Sequence, residues 1–268
     1  MVGFLSETTL AAIVAELDDG DTVGLALTGS YARGDASDYS DVDVIRFVRD
    51  MPAEETDRYR LEIRDHKLLS VSTTTVAEKR EELTWPEKAI WAVPGLRQAC
   101  VLLDSEGSLA KLKREADAFT WDRLGGAADK YVSDCVMGYA EEAHKVLTGL
   151  ASGRESTIMY GTLGLVFGLA RAVAVMHRVL VESDNSYFDQ VQDAVGRCSA
   201  WTRGFRQAAG LDPGTVNERG IAGLQMYRET AALASRVLRS EHAGVVDNAL
   251  EIIERSGVID QEDRNRGP

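Results

Sequence analysis

The feature that most constrains the fold is the run from Gly29 to Asp43, GSYARGDASDYSDVD. It joins an apolar segment, Val23 to Thr28, to an acidic one, Asp41 to Phe47, and both read as strands. Alternate residues of a strand share a face, so Asp41 and Asp43 point one way while Val42 and Val44 point into a core. The two carboxylates then stand about 7 Å apart along the strand. Such a pair repels itself unless a cation sits between, and oxygen ligands of this kind suit Mg²⁺, an ion usually shared with the phosphates of a substrate. Upstream, Gly29 lets the backbone come close to a ligand, and Ser30 offers a hydroxyl and an amide. A phosphate cradle thus faces a carboxylate pair.

The remainder divides into two parts. Ser6 is placed to cap a helix whose apolar residues Leu10, Ile13, Val14 and Leu17 recur at helical spacing. Beyond the acidic strand, Tyr59 to Arg64 and Lys67 to Thr73 read as a hairpin around Asp65-His66, with Leu61 and Ile63 toward the core and Glu62 on the other face. Val76 to Leu83 reads as a helix, Trp85-Pro86 interrupts it before Glu87 to Ala92, and Pro94-Gly95 turns the chain into a last strand, Gln98 to Leu103. Strand signals stop near residue 108. Past it, Tyr131, Cys135, Tyr139, Ala143, Val146 and Leu150 form one apolar stripe, and residues 158–181 are apolar on nearly every side. The expected fold is α+β, with a small mixed-sheet domain over residues 1–105, an all-α helical bundle over 106–259 and a disordered tail over 260–268.

Charge narrows the partners. The 268 residues carry a formal net charge of −13, which argues against a nucleic-acid backbone and for a cationic small molecule. Cys100, Cys135 and Cys198 are odd in number and sit in apolar contexts, so they read as reduced core thiols. The N-terminus lacks the pattern of a secretion signal, and the longest uncharged stretch, Ser156 to Ala170, is too short to span a bilayer. A cytoplasmic protein with no membrane partner is the expectation.

Gly29, Ser30, Ala32, Arg33, Gly34, Ser40, Asp41 and Asp43 match the pattern G-S-x-A-R-G-x(n)-S-D-x-D. Over about its first 105 residues the chain resembles the DNA polymerase β-like nucleotidyltransferase superfamily. More weakly, through its helical half, it is similar to bacterial antibiotic nucleotidyltransferases of the kanamycin (aminoglycoside) type, which follow such a domain with a helical bundle. The resemblance implies one or two Mg²⁺ ions held by Asp41 and Asp43, with a third carboxylate from a neighbouring strand. Glu62 is the candidate for it, unless the third position falls on the second arm of the hairpin, where only Ser70 or Ser72 stands. It also implies that Gly29, Ser30, Arg33 and Ser40 line the site of ATP or another NTP.

In the kanamycin-type enzymes a bundle glutamate serves as general base, with a lysine directed at the triphosphate four residues on. Glu141 and Lys145 have that spacing, with Glu142 the substitute base, and the stretch His177-Arg178 through Ser183 is similar too. On spacing alone Glu141 and Lys145 are an ordinary solvated helix pair. The implied reaction moves NMP, chiefly AMP, to a hydroxyl of a small cationic acceptor such as an aminoglycoside-type antibiotic, releasing pyrophosphate. Related enzymes build a shared cleft from two subunits, so a homodimer is compatible with the resemblance. The rival readings are a nucleotidyltransferase acting on a protein or tRNA, and a nucleotide-binding regulator without catalysis.

Overall fold

The computed structural model describes residues 5–259. These fall into two compact units, one running to Leu124 and including Leu180–Asp184, the other made of Gly125–Val179 and the chain from Asn185.

The first unit opens with helix α1 (Glu7–Leu17), whose N-cap Ser6 accepts a hydrogen bond from the Thr9 amide as expected. Then come β1 (Thr22–Thr28), the short helix α2 (Gly29–Arg33) and β2 (Val42–Val48). Asp41 stands one residue before β2. The hairpin is β3 (Tyr59–Arg64) and β4 (Lys67–Thr75), turning on Asp65 and His66, both with positive φ. Helices α3 (Val76–Glu81) and α4 (Pro86–Gln98) lead to β5 (Cys100–Asp104) and α5 (Ser108–Asp117). The sheet has the order β3-β4-β2-β1-β5, with β2 and β4 parallel and the other neighbours antiparallel.

Parity along the strands sorts the two faces, except at Val23, which the register irregularity between Thr22 and Gly24 turns to the opposite side. Leu25, Leu27, Val42, Val44, Leu69 and Val71 pack with Ile13 and Leu17 of α1. Val23, Ala26 and Phe47 point the other way, against residues of α4 and α5. This second packing moves the expected boundary. The α5 residues Leu109, Leu112 and Ala116 belong to the sheet's core, so the first unit extends to Leu124 rather than ending near residue 105.

Pro94 lies inside α4 instead of ending it. Proline has no N–H, so the carbonyl four residues earlier loses its helical partner. That carbonyl belongs to Ile90, fully buried, and it accepts from the Val181 amide at 2.7 Å. The segment Leu180–Asp184 is thereby strapped to the first unit, and Leu180 packs on its core.

The second unit contains α6 (Ala127–Gly138), α7 (Ala140–Ser152), α8 (Glu155–Met176), α9 (Tyr187–Val195), α10 (Ala200–Ala208), α11 (Val216–Leu233) and α12 (Ser240–Ser256). The single stripe read from Tyr131 to Leu150 is thus split between α6 and α7. Helix α8 is long and apolar enough to cross a membrane by length and composition, and 67% of its apolar window is buried within the protein. Gly161 seats α7 closely, since a Cβ there would lie 2.8 Å from the Glu142 carbonyl oxygen. The three cysteines are free, but Cys100 and Cys198 are exposed rather than in the core, one on a strand at the sheet's edge and the other in the turn before α10. The expected disordered tail, residues 260–268, lies outside the described residues.

Candidate functional site

The first group of interest is held by β1, α2 and β2. Thr28 is paired with Asp43 across the antiparallel ladder, so the turn into α2 falls beside the start of the acidic strand. Gly29 has φ +66°, and a Cβ built there would sit 2.4 Å from Asp43 Oδ2. Two separate requirements therefore select glycine: a left-handed backbone and contact with a carboxylate. A Gly29→Ala substitution is expected to lower Tm by about 2–8 °C, from a backbone cost of ~1–2 kcal/mol, and to displace the carboxylate. Thermal unfolding followed by circular dichroism checks this.

Asp43 is partly buried, and its carboxyl is held above the ordinary aspartate range. Burial is the main cause and the charge of Asp41 the next; a hydrogen bond with Ser70 and the charge of Arg33 pull the other way, and Asp184 adds a further repulsion. Ser70 is the register partner of Asp43 on β4, so the neighbouring strand offers a hydroxyl where a third acid was sought. Glu62 does not join the group. Its partner across the hairpin is Leu69, which packs on the α1 face, whereas Leu61 pairs with Ser70 on the Asp43 side. Glu62 instead binds Arg64 at 2.9 Å and Arg60 at 3.5 Å, both of which also reach Glu16. The expected parity fails because β3 is an edge strand: Leu61 and Ile63 are 50% and 71% exposed.

The remaining predicted residues of the loop are largely occupied by the loop itself. Ser40 Oγ accepts from the Ser37 amide at 2.9 Å, closing the turn that leads to Asp41. Arg33 pairs with Asp35 at 3.2 Å and donates from Nη1 to the Glu182 carbonyl at 3.4 Å. Ser30 accepts through its carbonyl from the Gly34 and Asp35 amides, and Gly34 closes α2 in a left-handed conformation.

Asp41 and Asp43 suit a divalent cation that takes two protein carboxylates and completes its shell with phosphate oxygens and water. The raised Asp43 carboxyl and the Gly29 backbone against it leave ionised oxygens with too little positive charge, which is the condition a cation relieves. Among the described residues no three His, Cys, Asp or Glu side chains form a metal cage. A shared ion fits this donor set; an all-protein one does not.

The helical unit holds the second group. Glu141 and Glu142 follow one another at the start of α7, yet their side chains are 75% and 17% exposed. Lys145 reaches both, Glu141 at 3.0 Å and Glu142 at 2.8 Å, and sits 5.4 Å from the centre of the Tyr160 ring. The paired carboxylates, Glu142 first, hold its ammonium well above the usual lysine range. Glu142 Oε2 is buried without a hydrogen-bond partner and lines a cavity with Tyr139, Phe167 and Arg171. Glu141 faces a different hollow, beside His144 and Asn248.

Sequence reasoning missed Asp184. Ser70 was legible as a hydroxyl on the second arm. Asp184 reaches the group only through the strap, which no local pattern announces.

Among proteins of known sequence and structure, residues 8–93 match the family described as a nucleotidyltransferase domain. No curated protein matches the chain. The crystal structure of a nucleotidyltransferase-like protein from Exiguobacterium sibiricum 255-15 is similar over 93% of this chain and 80% of that one, with a TM-score of 0.51 and 14% identity, which shows a shared fold. The strands and helices around Gly29 and Asp43 lie within the residues that match the nucleotidyltransferase-domain model, in an α+β chain that continues as a helical bundle.

Proposed function

We propose that the protein transfers a nucleoside monophosphate, chiefly AMP, from a nucleoside triphosphate to a hydroxyl of a small-molecule acceptor and releases pyrophosphate. The observation that carries this reading is the contact between the Gly29 backbone and the Asp43 carboxylate, with Asp41 beside it, inside a matched nucleotidyltransferase domain. Asp41 and Asp43 would hold Mg²⁺, which when bound neutralises charge developing on the triphosphate as pyrophosphate leaves. The Gly29 backbone and the Ser30 hydroxyl and amide orient the terminal phosphates, and Arg33 adds a cation at the end of α2.

For the proton acceptor, the resemblance to the kanamycin-type enzymes points to a glutamate at the start of α7. Glu142 has the attributes of a general base that Glu141 lacks: shelter from water, and one carboxylate oxygen with no donor. Lys145 donates to the other oxygen at 2.8 Å and holds it in place, an orienting role in addition to any contact with phosphate. In the proposed reaction the acceptor hydroxyl loses its proton to a general base, for which Glu142 is the candidate, as its oxygen attacks the α-phosphorus and the bond to the β-phosphate breaks. Release of pyrophosphate from ATP and Mg²⁺ is the test, across ring hydroxyl compounds, tRNA and proteins. Turnover requiring one of the small molecules supports the proposal, and release only with a macromolecule overturns it.

A further inference from the structure

The cavity bordered by Glu142 holds about 390 Å³, within the usual range of small-ligand sites. Two glycines of α8 make it. A Cβ on Gly168 would lie 1.8 Å from the Tyr139 ring, and one on Gly164 would lie 2.9 Å from Glu142 Cγ, so the helix is shaped to seat these two side chains flat against it. Tyr160 and Phe167 stand at its rim with much of their rings in water, and Leu163 continues the apolar wall between them. Ring faces of this kind stack on the apolar side of a flat ligand.

The charges narrow the ligand further. Glu142 Oε1 is already engaged by Lys145, while Oε2 is buried and accepts nothing among the described residues. Arg171 lines the same cavity. A ligand therefore meets a single carboxylate, half occupied, together with the guanidinium of Arg171. A polycation finds too few negative partners here, despite the net charge of −13 over the whole chain. A hydroxyl donating to Oε2 removes the one unpaired buried oxygen, the kind of group that is costly to leave unmatched.

We propose that this cavity binds the acceptor as a hydroxyl-bearing ring compound with an apolar face and at most one positive charge. Calling that ligand the acceptor rests on the nucleotidyl-transfer reading; its binding does not.

Calorimetric titration of the full chain without nucleotide tests it, with neutral phenyl β-D-glucopyranoside and the polycation kanamycin as probes. The glucoside is expected to bind in the millimolar range or tighter, and kanamycin at least about tenfold more weakly. Glu142→Gln and Phe167→Ala are each expected to weaken the glucoside about tenfold or more, the scale for losing a buried charged acceptor or an aromatic wall. Phe167 is 58% exposed, so its truncation leaves a folded protein even if the Glu142 variant does not fold. The inference fails if the glucoside does not bind, if it binds both variants as well as the parent, or if kanamycin binds more tightly. Glucoside binding without pyrophosphate release under any condition would remove the transfer reading alone. Release that persists with no glucoside binding would remove this inference alone.

Discussion

Replacing Asp41 or Asp43 by asparagine is expected to lower pyrophosphate release by roughly 10²–10³-fold or more at saturating ATP and Mg²⁺, the scale for losing a main electrostatic stabiliser. The same Asp43→Asn change is expected to make the metal-free protein more stable. Burial and the charges of Asp41 and Asp184 raise the Asp43 carboxyl above its ordinary range, so the folded chain holds that proton more tightly than the unfolded one. Folding stability linked to Asp43 is thus fully present below the unfolded pKa of about 3.9 and is lost as pH rises through the higher folded value. An amide stays neutral throughout. The variant should therefore melt about 2–4 °C higher at neutral pH without metal, with the gap closing near pH 3. Added Mg²⁺ should reverse the order by stabilising only the parent. A variant with near-parental turnover, or with no gain in Tm at neutral pH, would remove the pair from the site.

The second large effect separates neighbours. Glu142→Gln is expected to lower turnover roughly 10²–10⁴-fold, the usual range for a general base, while Glu141→Gln stays within about threefold, as expected for a solvated ion pair. Single-turnover measurements with bound acceptor would isolate the chemical step. If the two variants behaved the other way round, the exposed glutamate would carry the proton and the sheltered one would serve packing.

The contrast between those two residues shows where sequence reading stops. On the helical wheel Glu141 falls almost opposite the apolar stripe of α7, while Glu142 lies about a quarter turn round from it. The close seat of α7 on Gly161 of α8 then leaves Glu142 17% exposed while Glu141, on the far side, is 75% exposed. Spacing thus gives the direction of each side chain, but how far Glu142 is covered depends on a second helix, which spacing within the first cannot express. By contrast, the Ser6 cap, the turn at Asp65-His66 and the opposition of Gly29 and Asp43 were legible because each is fixed by nearby chain. Glu62 was misplaced for a related reason. Alternation predicts which residues share a face, but on an edge strand it does not say which face is covered. Pro94 read as a helix end because the partner that replaces its missing hydrogen bond lies 87 residues on, at Val181.

That distant replacement bears on how the protein can be dissected. A fragment ending after Leu124 would look complete by sequence, since it contains every strand and the whole signature. It would nevertheless leave the Ile90 carbonyl buried in α4 with no donor, and the Arg33 side chain without the Glu182 carbonyl. Severing the chain there removes a stitch made of main-chain atoms, which no side-chain substitution in the fragment can restore. Weak nucleotide handling by such a truncated piece would report the missing stitch rather than the capacity of the intact molecule.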